Sequence, residues 1–254
     1  MIGILTDVTK CIGCNECVMA CKTTYDLPAE LPRRWQKPDG LSGKNWTSVL
    51  RVGGRFVRKQ CRHCAEPACV SACPVAALQK QDNGPVTYDE GRCMGCRYCM
   101  MACPYGIPRY EWDSPIPYVR KCILCYERIK EGKQKEPSCT KACPTEATIF
   151  GQRDELLAEA KQRIEADPSL QLYGDDYEAG GTCVLYVSDV DLRPLYDGRD
   201  LRGQPALPTT TATAMTSVPF TFVGVGAVMG GLNWIIKRRE TLNTEKEVKE
   251  RSDG

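Results

Sequence analysis

Three short stretches of the chain show the clearest patterning of apolar and polar residues. Residues 154–166 repeat apolar side chains at helical spacing with acidic residues first, which predicts an amphipathic helix. Val49–Val57 is predicted to form a β-hairpin that turns at Gly53-Gly54. Val184–Val187 is predicted to form a short strand. Helix and strand elements in one chain indicate an α+β fold.

The longest apolar run lies near the C-terminus. Residues 218–236 carry no charge and, with the uncharged residues before them, are long enough to cross a bilayer, with a buried core helix as the alternative. Trp234 suits a membrane interface, and a basic cluster, Lys237–Arg239, follows at once. We therefore predict a linker over 203–217, a transmembrane helix over 218–236 and a charged cytoplasmic tail over 237–254.

The basic cluster also predicts an orientation. The positive-inside rule places Lys237–Arg239 in the cytoplasm, and hence the preceding part of the chain in a periplasm-like space. The N-terminal sequence MIGILTDVTK lacks the charged n-region and apolar h-region of a signal peptide. We therefore expect the chain to fold in the reducing cytosol and to be exported with a partner that carries the signal.

Composition excludes several classes of protein. The chain has 254 residues, 17 cysteines and one histidine, His63. It therefore cannot form a haem site with two histidine ligands or Cys/His zinc fingers, and a Ser-His-Asp centre would depend on that one residue. A net charge of +2, from 34 basic and 32 acidic residues, gives no electrostatic case for nucleic-acid binding. Because only 7% of residues are aromatic, something besides side chains is expected to fill part of the interior.

The cysteines have a regular spacing. Sixteen form four groups of four, which we number as quartets one to four along the chain: Cys11, Cys14, Cys17 and Cys21; Cys61, Cys64, Cys69 and Cys73; Cys93, Cys96, Cys99 and Cys103; Cys122, Cys125, Cys139 and Cys143. Quartets one and three read C-x2-C-x2-C-x3-C, and the last three quartets end in C-P. Bacterial ferredoxins bind iron–sulfur clusters with this kind of run. Cys183 is left over and is predicted to be a plain buried thiol.

The spacing favours iron–sulfur clusters over other uses of cysteine. Three thiolates two residues apart on one loop can reach three corners of a cubane, and the fourth points to a neighbouring cluster. Zinc sites usually use two separated pairs, and disulfides within such crowded loops would be strained. An odd number of cysteines also cannot pair completely. The sequence therefore predicts four [4Fe-4S] clusters.

Each cluster is expected to take its fourth ligand from another quartet. The short gap between Cys73 and Cys93 favours pairing quartet two with three and one with four, while one with two and three with four remains the alternative. The favoured pairing gives four ligand sets, which we call sites one to four: Cys11, Cys14, Cys17 and Cys143 (site one); Cys61, Cys64, Cys69 and Cys103 (site two); Cys73, Cys93, Cys96 and Cys99 (site three); Cys21, Cys122, Cys125 and Cys139 (site four).

Other side chains near the cysteines are predicted to have minor roles. His63 is expected to make a hydrogen bond or lie at the surface, because its quartet already holds four thiols. Trp35 and Trp46 are expected to pack over the clusters or against a partner subunit. Cations beside a cluster can raise its potential, but three basic residues that flank cysteines are expected to be solvated surface charges: Arg62, Arg97 and Lys121.

The chain resembles a known family, the four-cluster ferredoxin-type electron-transfer subunits of respiratory molybdenum enzymes and related hydrogenases. The resemblance rests on CRHCAEPACVSACPVAAL, CMGCRYCMMACPYGIPRY and CTKACPTEATIFGQRDELLAEAKQRI. The chain is similar to the beta subunit of the formate dehydrogenase-N type, most in GGTCVLYVSDVDLRPLY, and to the electron-transfer subunit of the hydrogenase-2 type, most in TIFGQRDELLAEAKQRI. Both types have a C-terminal membrane anchor. The lack of a twin-arginine signal favours the formate dehydrogenase type, and the family's cluster pairing is one with four and two with three.

The resemblance implies a fold and a function. It implies tandem ferredoxin-like dicluster units with long loops over 1–150, a helix and strand extension over 151–202, and one C-terminal membrane helix. It also implies a non-catalytic subunit that conducts single electrons from a molybdenum or tungsten formate dehydrogenase subunit to a cytochrome b or quinone-binding subunit in the lipid membrane. A [NiFe] hydrogenase subunit of the hydrogenase-2 type, or the catalytic subunit of another molybdopterin oxidoreductase, is the alternative catalytic partner. The apolar C-terminal run disfavours a soluble carrier, and the complete quartets disfavour an enzyme that uses a cluster as a Lewis acid.

Overall fold

The computed structural model describes residues 1–30 and 39–252 in two compact units. The first unit is Met1–Pro208 and the second is Thr209–Gly254. All the cysteines and all the described strands lie in the first unit. The packing predicted for Trp35 lies outside the described residues.

The first unit alternates short strands with short helices. The strands are β1 (Ile2–Asp7), β2 (Ser48–Val52), β3 (Arg55–Lys59), β4 (Leu78–Lys80), β5 (Val86–Tyr88), β6 (Arg109–Tyr110), β7 (Val119–Arg120), β8 (Thr148–Gln152), β9 (Gln171–Tyr173) and β10 (Val184–Ser188). The helices are α1 (Glu16–Thr24), α2 (Ala68–Ser71), α3 (Tyr98–Ala102), α4 (Tyr126–Lys130), α5 (Ser138–Lys141), α6 (Arg153–Ala166) and, running on into the second unit, α7 (Leu207–Ser252).

A four-stranded sheet forms the centre of this unit. Its strand order is β8-β1-β10-β9, with β1 parallel to β10 and the other neighbours antiparallel. Every residue of β10 is buried, as is usual for a strand that is covered on both faces. On one face, Leu5 and Leu185 pack against Leu156 of α6, while Ile4 and Tyr186 belong to the larger core that also contains cysteines.

The sequence predictions for three elements are confirmed. The amphipathic helix is α6, which begins one residue before the predicted stretch. The predicted hairpin is β2–β3, with Val52 opposite Arg55 across the glycine turn. The predicted C-terminal strand is β10. The mixture of helices and strands agrees with the predicted α+β class.

Strand pairing links quartet one with quartet four and quartet two with quartet three. Strand β1 leads into quartet one and pairs with β8, which follows quartet four. In the same way, β4 follows quartet two and pairs with β5, which leads into quartet three. The helices between them agree, since α1 packs on α5 and α2 packs on α3. The backbone therefore contains the same arrangement twice. Quartets two and three form one copy through the β4–β5 pair. Quartets one and four form the other copy through the β1–β8 pair, and the first copy lies between its two halves in the sequence.

The helix α7 ends the described chain. Its stretch Leu207–Asn243 is 37 residues long and contains an 18-residue segment with a mean hydropathy of 1.5, so it is long and apolar enough to cross a membrane. The helix begins within 203–217, the segment predicted to be a linker, and it continues through the charged residues after 236. Pro208 explains the early start, because proline fits the first turn of a helix, where its missing N–H has no intrahelical partner in any case.

Candidate metal centres

Two of the cysteine loops share one backbone geometry. Quartets one and three follow the 3-10 helices Val8–Lys10 and Glu90–Arg92, respectively. Gly13 and Gly95 then adopt φ values of +74° and +73°, a left-handed conformation that costs glycine little. At Gly13, an added Cβ would lie 2.6 Å from the Phe56 ring. The identical spacing of the two quartets therefore corresponds to the same turn in three dimensions.

Cysteines from different quartets meet around shared cavities. Three cavities are lined by the members of sites one, three and four, respectively: Cys11, Cys14, Cys17 and Cys143; Cys73, Cys93, Cys96 and Cys99; Cys21, Cys122, Cys125 and Cys139. In site two, the pKa of Cys64 is raised well above its ordinary value by burial and then by Cys103, Cys61 and Cys69, the other members of that set. The remaining thiol, Cys183, is fully buried and hydrogen-bonds the Gly84 carbonyl at 3.5 Å, as predicted for a plain buried thiol.

The type and number of donors in these sets fit an iron–sulfur cluster. Within residues 1–30 and 39–252, no three Cys, His, Asp or Glu side chains converge closely enough to hold a single metal ion. A zinc ion would need its thiolates about 2.3 Å from one centre. Four cysteines around a cavity instead match the donor set of a [4Fe-4S] cluster.

Unpartnered polar atoms surround the same cavities. Among the described residues, the Thr6 and Thr148 hydroxyls beside site one have no hydrogen-bond partner, and neither does the Gln60 amide beside site four. The Tyr25 hydroxyl at site four and the Tyr88 hydroxyl at site three have no oxygen or nitrogen partner and lie beside the sulfur atoms of Cys125 and Cys93, respectively. A buried polar group left without a partner costs about 1–3 kcal/mol. Their concentration around the cysteines fits the sulfur-rich surface of a cluster.

Burial also shapes the chemistry of the thiols. It raises the pKa of Cys17 to about 11 and that of Cys99 to about 11, in each case as the largest cause. At Cys143, burial is outweighed by the N–H groups of Thr148, Thr145 and Ala147, and its pKa is lowered. Buried free thiols would therefore stay protonated at neutral pH, whereas cationic iron would stabilise the thiolate form.

Backbone donors reach several of the sulfur atoms. The Ala77 N–H donates to Cys73 Sγ at 3.2 Å, and the Ile107 N–H donates to Cys103 Sγ at 3.5 Å. The two donors occupy the same place, four residues after the last cysteine of quartets two and three. Hydrogen bonds of this kind adjust the potential of a cluster whose ligand they touch.

Electrostatic neighbours connect the four sets in a row. The pKa of Cys17 in site one is raised by Cys139 of site four, after the larger effect of burial. Likewise, burial raises the pKa of Cys122 of site four, and Cys61 of site two raises it further. Burial raises the pKa of Cys69 to about 12, and Cys99 of site three is among its smaller causes. These couplings make site one a neighbour of site four, site four a neighbour of site two, and site two a neighbour of site three.

The prediction of solvated surface charges was wrong for Arg62 and Lys121. Arg62 is 1% exposed, donates to Glu178 and Tyr196, and lies within cation–π distance of three tyrosine rings. Lys121 is 3% exposed and donates to the carbonyls of Val86 and Cys122. Both are buried because distant segments of the chain supply their partners, which the residues around each cysteine could not reveal.

The other predictions around the cysteines gave mixed results. Arg97 is exposed, as predicted, and stacks near the Tyr110 ring. His63 is fully buried, and its Nδ1 accepts a hydrogen bond from the Val86 N–H at 2.9 Å, so the predicted hydrogen bond is confirmed. Trp46 lines the cavity of site four, as expected.

Sequence reasoning missed Arg58. It is 1% exposed and lines the cavity of site one. An arginine in a strand can face either the core or solvent, and a signal appears only once the register of β2–β3 is known.

Comparisons with known proteins agree with this chemistry. Residues 10–78 and residues 52–153 each match a family of 4Fe-4S dicluster domains. The hydrogenase-2 operon protein HybA of Escherichia coli is 35% identical over 288 residues, covering 95% of this chain and 85% of that protein. The B subunit of the E. coli anaerobic dimethyl sulfoxide reductase is 39% identical over 163 residues, covering 61% and 75%. The iron-sulfur subunit of the nitrate-inducible E. coli formate dehydrogenase is 35% identical over 252 residues, covering 91% and 83%.

Proposed function

Because this protein belongs to the family of iron–sulfur proteins with 4Fe-4S dicluster domains, we propose that it is the electron-transfer subunit of a membrane-bound respiratory oxidoreductase. Its role is to conduct single electrons between a catalytic subunit and a membrane subunit. The observation that carries this proposal is the row of four cysteine sets in one compact unit. A row of redox centres covers a distance that one transfer step could not cover quickly.

Four [4Fe-4S] clusters are the cofactors we assign to these sets. A cluster at each site would supply one-electron redox chemistry, and the sixteen cysteines would be its ligands. The residues around the sites hold the thiols in fixed loops, donate N–H groups to sulfur and exclude water from the interior. The paired arrangement of β1 with β8 and of β4 with β5 supports fourth ligands exchanged between quartets one and four and between two and three.

Serine substitutions test this ligand assignment. Cys17 and Cys21 belong to the same quartet but to different sites, whereas Cys21 and Cys125 belong to different quartets but to the same site. We expect Cys21→Ser and Cys125→Ser to remove or alter the same EPR signal of the reduced chain, and Cys17→Ser to affect a different one. Cys183→Ser is the control and should keep every signal. If Cys21→Ser instead matched Cys17→Ser, the assignment would be wrong.

The membrane helix supports a membrane partner. The length and hydropathy of Leu207–Asn243 suit anchoring beside an integral subunit that binds haem b or quinone. The basic residues Lys237–Arg239 support a cytoplasmic C-terminus and a periplasmic cluster unit. Accessibility of single introduced cysteines to a membrane-impermeant reagent would test this orientation, and labelling of residue 254 from the periplasmic side would contradict it.

For the catalytic partner we propose a molybdenum or tungsten formate dehydrogenase. Support comes from the likeness to the formate dehydrogenase iron-sulfur subunit over most of both chains. Oxidation of formate to carbon dioxide releases one proton and two electrons, which this subunit would pass on singly to a quinone that takes up two electrons and two protons.

A nickel–iron hydrogenase subunit is the second candidate partner. The likeness to the hydrogenase-2 operon protein, which covers slightly more of this chain, favours it. Gentle detergent purification of the intact complex, with metal analysis and subunit identification, separates the two. Molybdenum or tungsten with formate-dependent dye reduction supports the first candidate. Nickel with hydrogen-dependent dye reduction supports the second and refutes the first.

A further inference from the structure

Arg58 is a buried cation without a protein counter-ion. It lies within β3 opposite Val49 of β2, and the whole residue is 1% exposed. Among the described residues, none of the three guanidinium nitrogens has an oxygen or nitrogen acceptor, and the side-chain acceptor beside them is the Cys139 sulfur. A guanidinium carries five N–H donors, and an unpaired charge in the interior is strongly destabilising. The surroundings of Arg58 must therefore supply negative charge.

The groups that face Arg58 are thiols of two different sites. Its side chain lines the cavity of site one, together with Cys11 and Cys17. The guanidinium lies within hydrogen-bonding reach of Cys139 of site four, and Cys139 and Cys17 of site one are the two thiols with which its charge interacts most strongly. Cys11 of site one and Cys21 of site four also lie within electrostatic range of Arg58. The guanidinium thus lies at the junction between site one and site four.

Arg62, four residues later, is an arginine in the same interior whose charge is neutralised by a carboxylate. It is also 1% exposed, but it pairs with Glu178 and donates to the Tyr196 hydroxyl. Lys59, beside Arg58, pairs with Asp39. Of these three neighbouring buried cations in the described part of the chain, Arg58 alone faces cysteine sulfur in place of a carboxylate.

We propose that Arg58 is the shared counter-ion of the clusters at sites one and four, and that its charge raises the reduction potential of both. This inference rests on the cluster assignment proposed above. Reduction adds one negative charge to a cluster, and a nearby cation stabilises the added charge. Because the interaction weakens with distance, sites two and three should be affected much less. One cation serving two sites also makes these two sites the electrostatically coupled pair in the row.

Potentiometric titration followed by EPR tests the proposal on the purified chain with its clusters. Arg58→Met removes the charge and keeps an apolar stem. We expect the reduction equilibrium constants of two clusters to fall about tenfold each, which is about 59 mV for a one-electron couple, and the other two to stay within threefold. Arg55→Met is the matched control, because Arg55 lies in the same strand but is exposed and pairs with Asp189. It should shift no potential.

Arg58→Lys separates charge from packing. It keeps the positive charge, so both potentials should lie nearer to those of the unsubstituted chain than to those of Arg58→Met. If Arg58→Met does not retain its iron, a potential in Arg58→Lys close to that of the unsubstituted chain still supports the proposal, and a tenfold fall there overturns it. Equal shifts at all four clusters, or no shift in Arg58→Met with full iron content, would also overturn it. Iron analysis of the unsubstituted chain tests the cluster assignment separately, because four clusters with unshifted potentials refute only the role of Arg58.

Discussion

The buried ion pair between Arg62 and Glu178 is expected to make a large contribution to the stability of the fold. Their side chains are 0% and 3% exposed, and Glu178 also accepts hydrogen bonds from the Tyr105 hydroxyl at 3.0 Å and the Gly174 N–H at 2.7 Å. Glu178→Gln keeps the shape but removes the charge, and its amide N–H2 must then face one of these donors. Removing one partner of a buried ion pair costs about 3–5 kcal/mol.

An exposed ion pair in the same unit provides the control. Arg55 and Asp189 are 43% and 23% exposed, and solvent screens a pair of this kind, so that it contributes little to stability. Asp189→Asn should therefore change stability far less than Glu178→Gln, although both substitutions replace one carboxylate by an amide. The difference between the two variants isolates the effect of burial.

The rate of cluster loss in denaturant measures this difference. Proteins that hold metal clusters seldom unfold reversibly, so a rate is a better observable than an equilibrium free energy. We expect the visible cluster absorbance of Glu178→Gln to bleach about 100-fold faster in a fixed guanidinium concentration, because 3 kcal/mol is about two powers of ten in rate. Asp189→Asn should bleach within about fivefold of the unsubstituted chain. Equal rates for the two variants would refute the claim that Arg62 depends on Glu178.

Two further predictions concern a turn and the membrane helix. Gly13→Ala should lower the iron content by about a quarter, because a Cβ there collides with the Phe56 ring and the left-handed backbone disfavours alanine. Gly54→Ala is the control, because it has the same left-handed backbone but no neighbour near the added Cβ, and it should keep all its iron. Iron analysis of the two variants would measure the difference. A chain that ends at Pro208 should retain its clusters but no longer associate with phospholipid vesicles in flotation assays, whereas association equal to that of the whole chain would contradict anchoring by the helix.

The local features of the fold were readable from the sequence. Cysteine spacing is a local property, and it identified the quartets and favoured iron–sulfur chemistry, since three thiolates two residues apart on one loop can reach three corners of a cubane. Glycine pairs and helical spacing identified β2–β3 and α6. The apolar run predicts the C-terminal helix, but α7 begins at Leu207, within the predicted linker, because a composition of threonine and alanine does not by itself exclude a helix.

Features that depend on distant segments were not readable. The parallel pairing of β1 with β10 joins residues about 180 positions apart, and nothing in either strand specifies the other. The same reason explains the error at Arg62, whose carboxylate partner lies 116 residues later. The burial of Arg58 could not be predicted either, because the thiols that face it, Cys17 and Cys139, come from opposite ends of the cysteine-rich region. Charges beside cysteines can therefore be assigned to core or surface only when the fold is known.

The central claim is that the chain holds four [4Fe-4S] clusters that pass electrons one at a time. Reductive titration of the anaerobically purified chain, combined with Mössbauer spectroscopy and metal analysis, tests it most directly. We expect about 16 iron atoms per chain, all in [4Fe-4S] clusters, and the uptake of about four electrons. Zinc in the cysteine sets, or the uptake of about two electrons by a chain with its full metal content, would contradict it.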